Sequence, residues 1–285
     1  MDSKQHVVGF IGAGNMAEAL ARGLRKAGLG AERIAASDPS PERRRVFEEI
    51  SARVFESNLE LLKCATFVVL AVKPQVLPSV LAEIAPEVQP STPVLSIAAG
   101  IEVAFVRHFL PDASVVRAMP NTPCLVGAGM SVLYAPPEVP REVRRTAEDL
   151  LATCGRTAWV NDEAQLDAVT ALSGSGPAYF FYLCELLQEA AVQVGLPPEL
   201  APELSRRTCI GSAALLERTG EDPSELRRRV TSPGGTTEAA LKAFLGGGLP
   251  SLVKQAVEAA ALRSSELRKE AWRSLGKESG SETGS

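Results

Sequence analysis

Histidine is nearly absent from this chain. Of its 285 residues only His6 and His108 could supply an imidazole. His6 precedes the first strand-like run, and His108 sits in a helix-like stretch leading into Leu110-Pro111, so a histidine general acid is not expected at any site. The five cysteines, Cys64, Cys124, Cys154, Cys184 and Cys209, are odd in number. They form no CxxC or Cys/His spacing, which excludes a zinc site and a redox pair and fits reduced thiols in a cytoplasmic protein. No metal constellation and no nucleophile elbow occurs. No apolar run approaches the roughly eighteen residues that a membrane helix needs. The formal net charge of −4 gives no field that would gather nucleic acid or an anionic membrane. Residues 1–6 lead straight into an apolar run, so no leader peptide is expected.

What is present falls into two halves. From His6 to about Val160, short apolar runs alternate with helical stretches: Val7–Ile11, Ile34–Ser37, Phe67–Val72, Val94–Ile97 and Val115–Met119. The runs are continuous rather than alternating, as in strands covered on both faces by crossover helices. With helical segments such as Ala17–Ala27 and Pro41–Ile50 between them, they predict a doubly wound parallel sheet. A further strand pair, Met130–Tyr134 and Thr157–Val160, flanks a helix expected over Glu138–Thr153. After Asn161 the strand-like runs stop, and helices are expected over Ala178–Val194, Pro198–Thr219, Ser224–Val230, Glu238–Phe244 and Leu252–Lys269. Ala178–Val194 is apolar on nearly every side, which points to a subunit interface. The expected organisation is an α/β Rossmann-like doubly wound sheet over residues 1–160, an all-α domain over 161–272 and a disordered tail over 273–285. The arginine runs Arg43–Arg45 and Arg227–Arg229 have acidic neighbours and read as solvated helix faces.

Gly12-Ala13-Gly14-Asn15-Met16-Ala17 lies between the first strand and the first helix. Gly12 permits the tight turn, Gly14 lets the backbone approach a pyrophosphate, and the small Ala17 lets helix pack on strand. The helix start then offers free N–H groups to phosphate. At the tip of the second strand, Ser37 suits the 2′-phosphate of NADP and Asp38 the ribose of NAD, so the residues leave the choice open. Three later loops fall at strand carboxyl ends, where a dinucleotide would lie: Ala71-Val72-Lys73-Pro74, Ala98-Ala99-Gly100 and Pro120-Asn121-Thr122-Pro123. Ser173-Gly174-Ser175-Gly176-Pro177-Ala178 opens a helix and could receive a substrate carboxylate, as could Thr231-Ser232-Pro233-Gly234-Gly235-Thr236-Thr237-Glu238.

These motifs, with Gly9-Phe10-Ile11 before the turn and Leu172 and Tyr179 flanking the junction, resemble the pyrroline-5-carboxylate reductase family along nearly all of residues 6–270. The segment Val230–Thr237 looks like that family's signature. The resemblance implies hydride transfer from NADPH, with NADH open as an alternative, to the cyclic imine 1-pyrroline-5-carboxylate, giving L-proline. It implies that Thr237 hydrogen-bonds the ring nitrogen as the catalytic residue. Ser175, Gly176, Ser232, Gly234, Gly235 and Thr236 would hold the rest of the substrate. Ile11, Gly12, Ala13, Gly14, Asn15, Met16, Ser37, Asp38, Asn58, Ala71, Val72, Lys73, Pro74, Ile97, Ala98, Ala99 and Asn121 would line the cofactor site. It further implies an all-α dimerisation domain, a homodimer or a decamer of five dimers, and neither a nucleic-acid nor a membrane partner. Glu221 lies one position from a substrate-touching glutamate of some relatives and is left out of the site. A β-hydroxyacid dehydrogenase would carry a lysine after the glycine-rich junction, and residues 173–196 contain none. A non-catalytic dinucleotide-sensing protein would not need the second glycine loop.

Overall fold

The computed structural model describes residues 6–278. The chain divides into two compact units, one of residues up to Ser175 together with those from Ala259 onward, the other Gly176–Glu258.

The first unit is built on β1 (Val8–Ile11), α1 (Asn15–Lys26), β2 (Ile34–Ser37), α2 (Pro41–Glu49), β3 (Arg53–Phe55), α3 (Asn58–Leu62), β4 (Phe67–Leu70), α4 (Leu77–Ile84), β5 (Pro93–Ser96), α5 (Val103–Phe109) and β6 (Ser114–Met119). It continues through β7 (Gly129–Tyr134), α6 (Arg141–Ala152), β8 (Gly155–Trp159) and α7 (Gln165–Val169). The strands form one sheet in the order β3-β2-β1-β4-β5-β6-β7-β8, parallel throughout except where β6 meets β7. Strand side chains alternate between two cores. Val8, Phe10, Phe67, Val69 and Leu95 join Leu20, Leu24 and Phe47 on one face. Ile11, Val68, Leu70 and Val94 join Leu61, Leu77, Leu81 and Phe105 on the other. Both faces are covered, which is why the strands read as unbroken apolar runs. In α1 the buried Ala17, Leu20, Ala21 and Leu24 follow the i, i+3, i+4, i+7 spacing of one packed face. Each buried leucine there contributes about 1.5–3 kcal/mol.

The register sets the site. Ile11 pairs with Ser37 on one side and with Leu70 on the other, and Leu70 pairs with Ser96. Residues 12, 38, 71 and 97 therefore share the carboxyl edge, at the point where the strand order reverses between β1 and β4.

The second unit holds α8 (Gly176–Gln193), α9 (Ala201–Thr219), α10 (Pro223–Arg229), α11 (Thr236–Gly246) and the beginning of α12 (Leu249–Glu278). Phe180, Phe181 and Tyr182 of α8 are 63%, 68% and 59% exposed in the single chain, a face that calls for another surface. From Ala259 on, α12 belongs to the first unit. There Ser264 Oγ donates to Asp167 Oδ1 at 2.8 Å, and Arg268 and Trp272 donate to the Glu102 carboxylate at 3.3 and 2.9 Å.

Several boundaries differ from those expected. The division falls after Ser175 rather than after Val160, because Leu166 and Ala171 are buried in the first unit and Asn121 holds Ser173. The helix expected from Glu138 starts at Arg141, after Pro140 as its N-cap. The helix expected from Pro198 starts at Ala201, because residues 197–200 form a turn, with Leu200 N–H bonded to Pro197 O. The helix expected over Leu252–Lys269 runs from Leu249 to Glu278, so the part of the expected tail over residues 273–278 is helical. Residues 279–285 of that tail lie outside the described residues. The short elements β3 and α3 were not anticipated.

Candidate active site

Gly12 opens the turn after β1 with φ +95°, a left-handed conformation that favours glycine. A Cβ there would stand 2.9 Å from the Ala71 carbonyl carbon and 2.9 Å from Val72 Cγ1, so the turn is also closed sterically. Gly12 N–H donates to Ser37 O at 2.9 Å, and Ala71 N–H donates to Ile11 O at 2.9 Å, fixing three strand ends together. Gly14 is the N-cap of α1, and a Cβ on it would meet nothing within 4 Å. Asn15 is exposed, Met16 half-buried and Ala13 buried at the helix start. This open space in front of a helix N-terminus is the geometry a pyrophosphate requires.

The two residues that could read the ribose are both engaged. Ser37 is fully buried and its Oγ donates to Asn58 Oδ1 at 2.7 Å, while Asn58 Nδ2 donates to Glu83 Oε2 at 2.8 Å. Asp38 Oδ2 accepts from Ala13 N–H and Oδ1 from Ser40 N–H, each at 2.9 Å. Arg43 Nε donates to Ala13 O at 2.7 Å, and Arg44 Nη1 donates to Asp38 O at 2.6 Å and Pro39 O at 2.9 Å. Arg43 Nη2 lies 3.6 Å from Glu18 Oε2, too far for a hydrogen bond. Arg43 and Arg44 were read as part of a solvated helix face, and that reading is corrected here. Ser40 caps α2 by accepting from Arg43 N–H, and the Arg43 and Arg44 side chains reach back to the glycine turn and the strand tip. The signal was their position in the first turn after the second strand tip.

The remaining edge loops follow the sheet. Ala71, Val72 and Pro74 are half-buried and Lys73 exposed, its carbonyl accepting from Val76 and Leu77 N–H as α4 begins. Ile97 N–H donates to Leu70 O at 3.1 Å, with Ala98 buried and Ala99 half-buried behind it. Asn121 accepts from Met130 N–H at 2.8 Å and donates to Ser173 O at 3.1 Å. Thr170–Gly174 forms a π-helical turn after α7, and Ser175 N–H closes it on Thr170 O at 2.8 Å. Gly176, buried, is the first residue of α8. Neither histidine lies in this set: His6 meets Thr66 Oγ1, and His108 packs edge-on against Phe109 and Trp272.

In the second unit, Gly234 takes φ +71° and its N–H donates to Glu238 Oε2 at 2.8 Å. Gly235 N–H donates to Ser232 O at 3.0 Å, and a Cβ on Gly235 would strike Ser232 Oγ at 2.4 Å. Gly235 is the N-cap of α11 without a side-chain cap, so the N–H groups of Thr236 and Thr237 start the helix without intrahelical partners. Glu238 belongs to the loop as read from the sequence, but its bond to Gly234 N–H was not anticipated. Its place three residues after the N-cap is a capping-box position and could have been read as such. Glu221 is paired with Arg229.

Residues 163–267 match a family model described as pyrroline-5-carboxylate reductase dimerisation, and residues 7–100 one described as NADP oxidoreductase, coenzyme F420-dependent. The pyrroline-5-carboxylate reductase of Pseudomonas aeruginosa is 47% identical, over 91% of this chain and 96% of its own length. The chain belongs to the pyrroline-5-carboxylate reductase family. The Haemophilus influenzae reductase is 41% identical over 92% of this chain and 98% of its own. Among solved structures, the Coxiella burnetii reductase is 38% identical with a TM-score of 0.85, over 92% of this chain and 98% of its own. The Plasmodium falciparum reductase, crystallised with NADP bound, is 31% identical with a TM-score of 0.83, over 93% of this chain and 98% of its own. The residues that match the dimerisation model include α8, whose apolar face is exposed in the single chain. No helix among the described residues is long and apolar enough to cross a membrane, and no group of three or more metal-ligating side chains occurs among them.

Proposed function

We propose that this chain reduces 1-pyrroline-5-carboxylate to L-proline with NADPH as donor, as a cytoplasmic homodimer or a decamer of five dimers. The observation that carries the reading is the loop before α11, in a chain of this family. Gly234, Gly235 and Glu238 shape it so that the backbone N–H groups of Thr236 and Thr237 are left as unspent donors that a ligand could take. A carboxylate is the ligand chemistry such a helix start takes, and Ser232, Gly234, Gly235 and Thr236 hold it. Thr237, half-buried on the same turn, donates its hydroxyl to or accepts from the ring nitrogen. Ser175 and Gly176 support the substrate at the start of α8.

A nicotinamide held at this sheet edge would supply a hydride to the C=N carbon. Glycines 12 and 14, with Ala13, Asn15 and Met16, fix the pyrophosphate, and the loops at 71–74, 97–99 and 121 bound the rest of the cofactor. A protonated imine is already electrophilic, so the protein contributes mainly distance and angle. This fits a site that contains no histidine.

The purified protein should oxidise NADPH only when 1-pyrroline-5-carboxylate is present, and an absence of turnover with either nicotinamide cofactor would sink the reading. Thr237→Ala should lower kcat/KM by about ten- to a hundredfold, at about 1.4 kcal/mol per tenfold. A wild-type rate would remove Thr237 from the site.

A further inference from the structure

An acidic residue at the tip of the second strand ordinarily accepts from the ribose 2′-hydroxyl and keeps a 2′-phosphate out. Asp38 occupies that place, and both oxygens of its carboxylate are already held in position by backbone N–H groups. One oxygen accepts from Ala13 N–H and the other from Ser40 N–H, both at 2.9 Å, and its own carbonyl accepts from Arg44. The opposite end of Ala13 is held from the same corner, its carbonyl accepting from Arg43 Nε at 2.7 Å. Both polar groups of the residue between Gly12 and Gly14 are thus fastened by α2 and the loop before it. Turning the carboxylate out to a ribose would strand the Ala13 and Ser40 N–H groups. The arginines of this corner are matched by carboxylates: Arg43 Nη2 lies 3.6 Å from Glu18, itself shared with Arg22, and Arg44 Nη2 lies 3.8 Å from Glu56.

We propose that Asp38 is a positioning residue that braces the phosphate-binding turn, and not the reader of the ribose 2′ position. On this view the chain binds NADPH at least as tightly as NADH despite the acidic residue. The proposal rests on the nicotinamide cofactor assigned above and concerns which form that site selects.

The test is direct binding of NADPH and of NADH to the full chain without substrate, by calorimetry, in the wild type, Asp38→Asn and Arg43→Ala. The wild type should bind NADPH no more weakly than NADH. Asp38→Asn should weaken both by about five- to tenfold and leave their ratio unchanged within about threefold. Arg43→Ala, which frees the other end of Ala13, should weaken both alike. A shift of the ratio toward NADPH by about tenfold or more in Asp38→Asn would show that the carboxylate reads the ribose and overturn the proposal. A loss confined to NADPH in Arg43→Ala would overturn the shared-brace account as well. Should Asp38→Asn fail to fold, Arg43→Lys keeps the charge but not the planar Nε–H. Equal weakening of both cofactors there supports the brace, and wild-type binding refutes it. Since no turnover is measured, failure of the reductase reading would leave these binding results intact. Binding of neither cofactor by the wild type would refute the nucleotide site itself.

Discussion

Alanine placed at Gly12 and at Gly14, one at a time, should break two different things. At Gly12 the backbone is left-handed, and the new Cβ would sit 2.9 Å from backbone and side-chain atoms of Ala71 and Val72. The conformation costs a non-glycine residue about 1–2 kcal/mol. Forcing an extra carbon against a well-packed strand end adds about 1–3 kcal/mol. The sum, about 2–5 kcal/mol, corresponds to a fall in Tm of about 5–15 °C for a chain of this size. At Gly14 the backbone is extended, φ −68° and ψ 174°, and nothing lies within 4 Å of the added carbon. Gly14→Ala should melt within about 3 °C of the wild type, since the only cost is that of alanine for glycine at the N-cap, below about 1 kcal/mol. Its Cβ instead projects into the space the pyrophosphate would fill and should raise the NADPH Kd by about tenfold or more. Thermal melts without cofactor, followed by titration with NADPH, read both effects. A Gly12→Ala protein with the wild-type Tm, or a Gly14→Ala protein with the wild-type Kd, would refute the account of the turn.

Other substitutions test other parts. Phe181→Arg places a charge on the exposed face of α8 and should reduce the assembly to a smaller species by light scattering, with about 1.5–3 kcal/mol lost per buried ring. An unchanged mass would exclude that face from the interface. Glu163 accepts from the buried Arg117 at 3.0 Å and from Val103 N–H at 2.8 Å, so Glu163→Ala should cost about 3–5 kcal/mol in denaturant melts by leaving that guanidinium unpaired. Glu163→Gln, which keeps an acceptor, should cost less, and equal losses in both would count against the ion pair. Burial pushes the Cys154 thiol up. The folded state therefore holds that proton more tightly than the unfolded one, its contribution is complete below the unfolded value, and it fades as the pH rises above about 8.5. Cys154→Ala should flatten the decline in stability between pH 8 and pH 10, about the range in which thiols ionise. A decline as steep as the wild type's would assign it to other groups.

The strands of the first unit were legible because a sheet covered on both faces imposes one rule along each of them. Ile34–Ser37 agrees residue for residue, and the other runs agree to within a residue or two. β3 escaped because Arg53–Phe55 is three residues long, with Arg53 exposed and only Val54 and Phe55 half-buried, too little burial to leave a pattern. The glycine turn could be located from spacing, since Gly12 and Gly14 answer to backbone demands that any such turn shares. What spacing could not supply was who bonds to whom. Ser37, Asp38 and Asn58 are polar residues at a cofactor edge, and only three-dimensional geometry shows each of them bonded to a protein partner. Arg43 and Arg44 were misread for the same reason. A helix face next to acidic residues reads as solvated until the carbonyls it reaches are known. The division of the chain was hidden because residues 161–175 and 259–278 are helical in composition yet belong with the sheet.

The late return of the chain to the first unit has a consequence for how the molecule is made. Trp272 packs against Phe105, and Ser264 and Arg268 occupy acceptors on Asp167 and Glu102. During translation the sheet emerges early, but these partners leave the ribosome only after the whole of Gly176–Glu258. Domains generally fold as they emerge, amino-terminal first. Here the first to begin is the last to be finished: while Gly176–Glu258 is being made, the sheet stands complete but without its final helix.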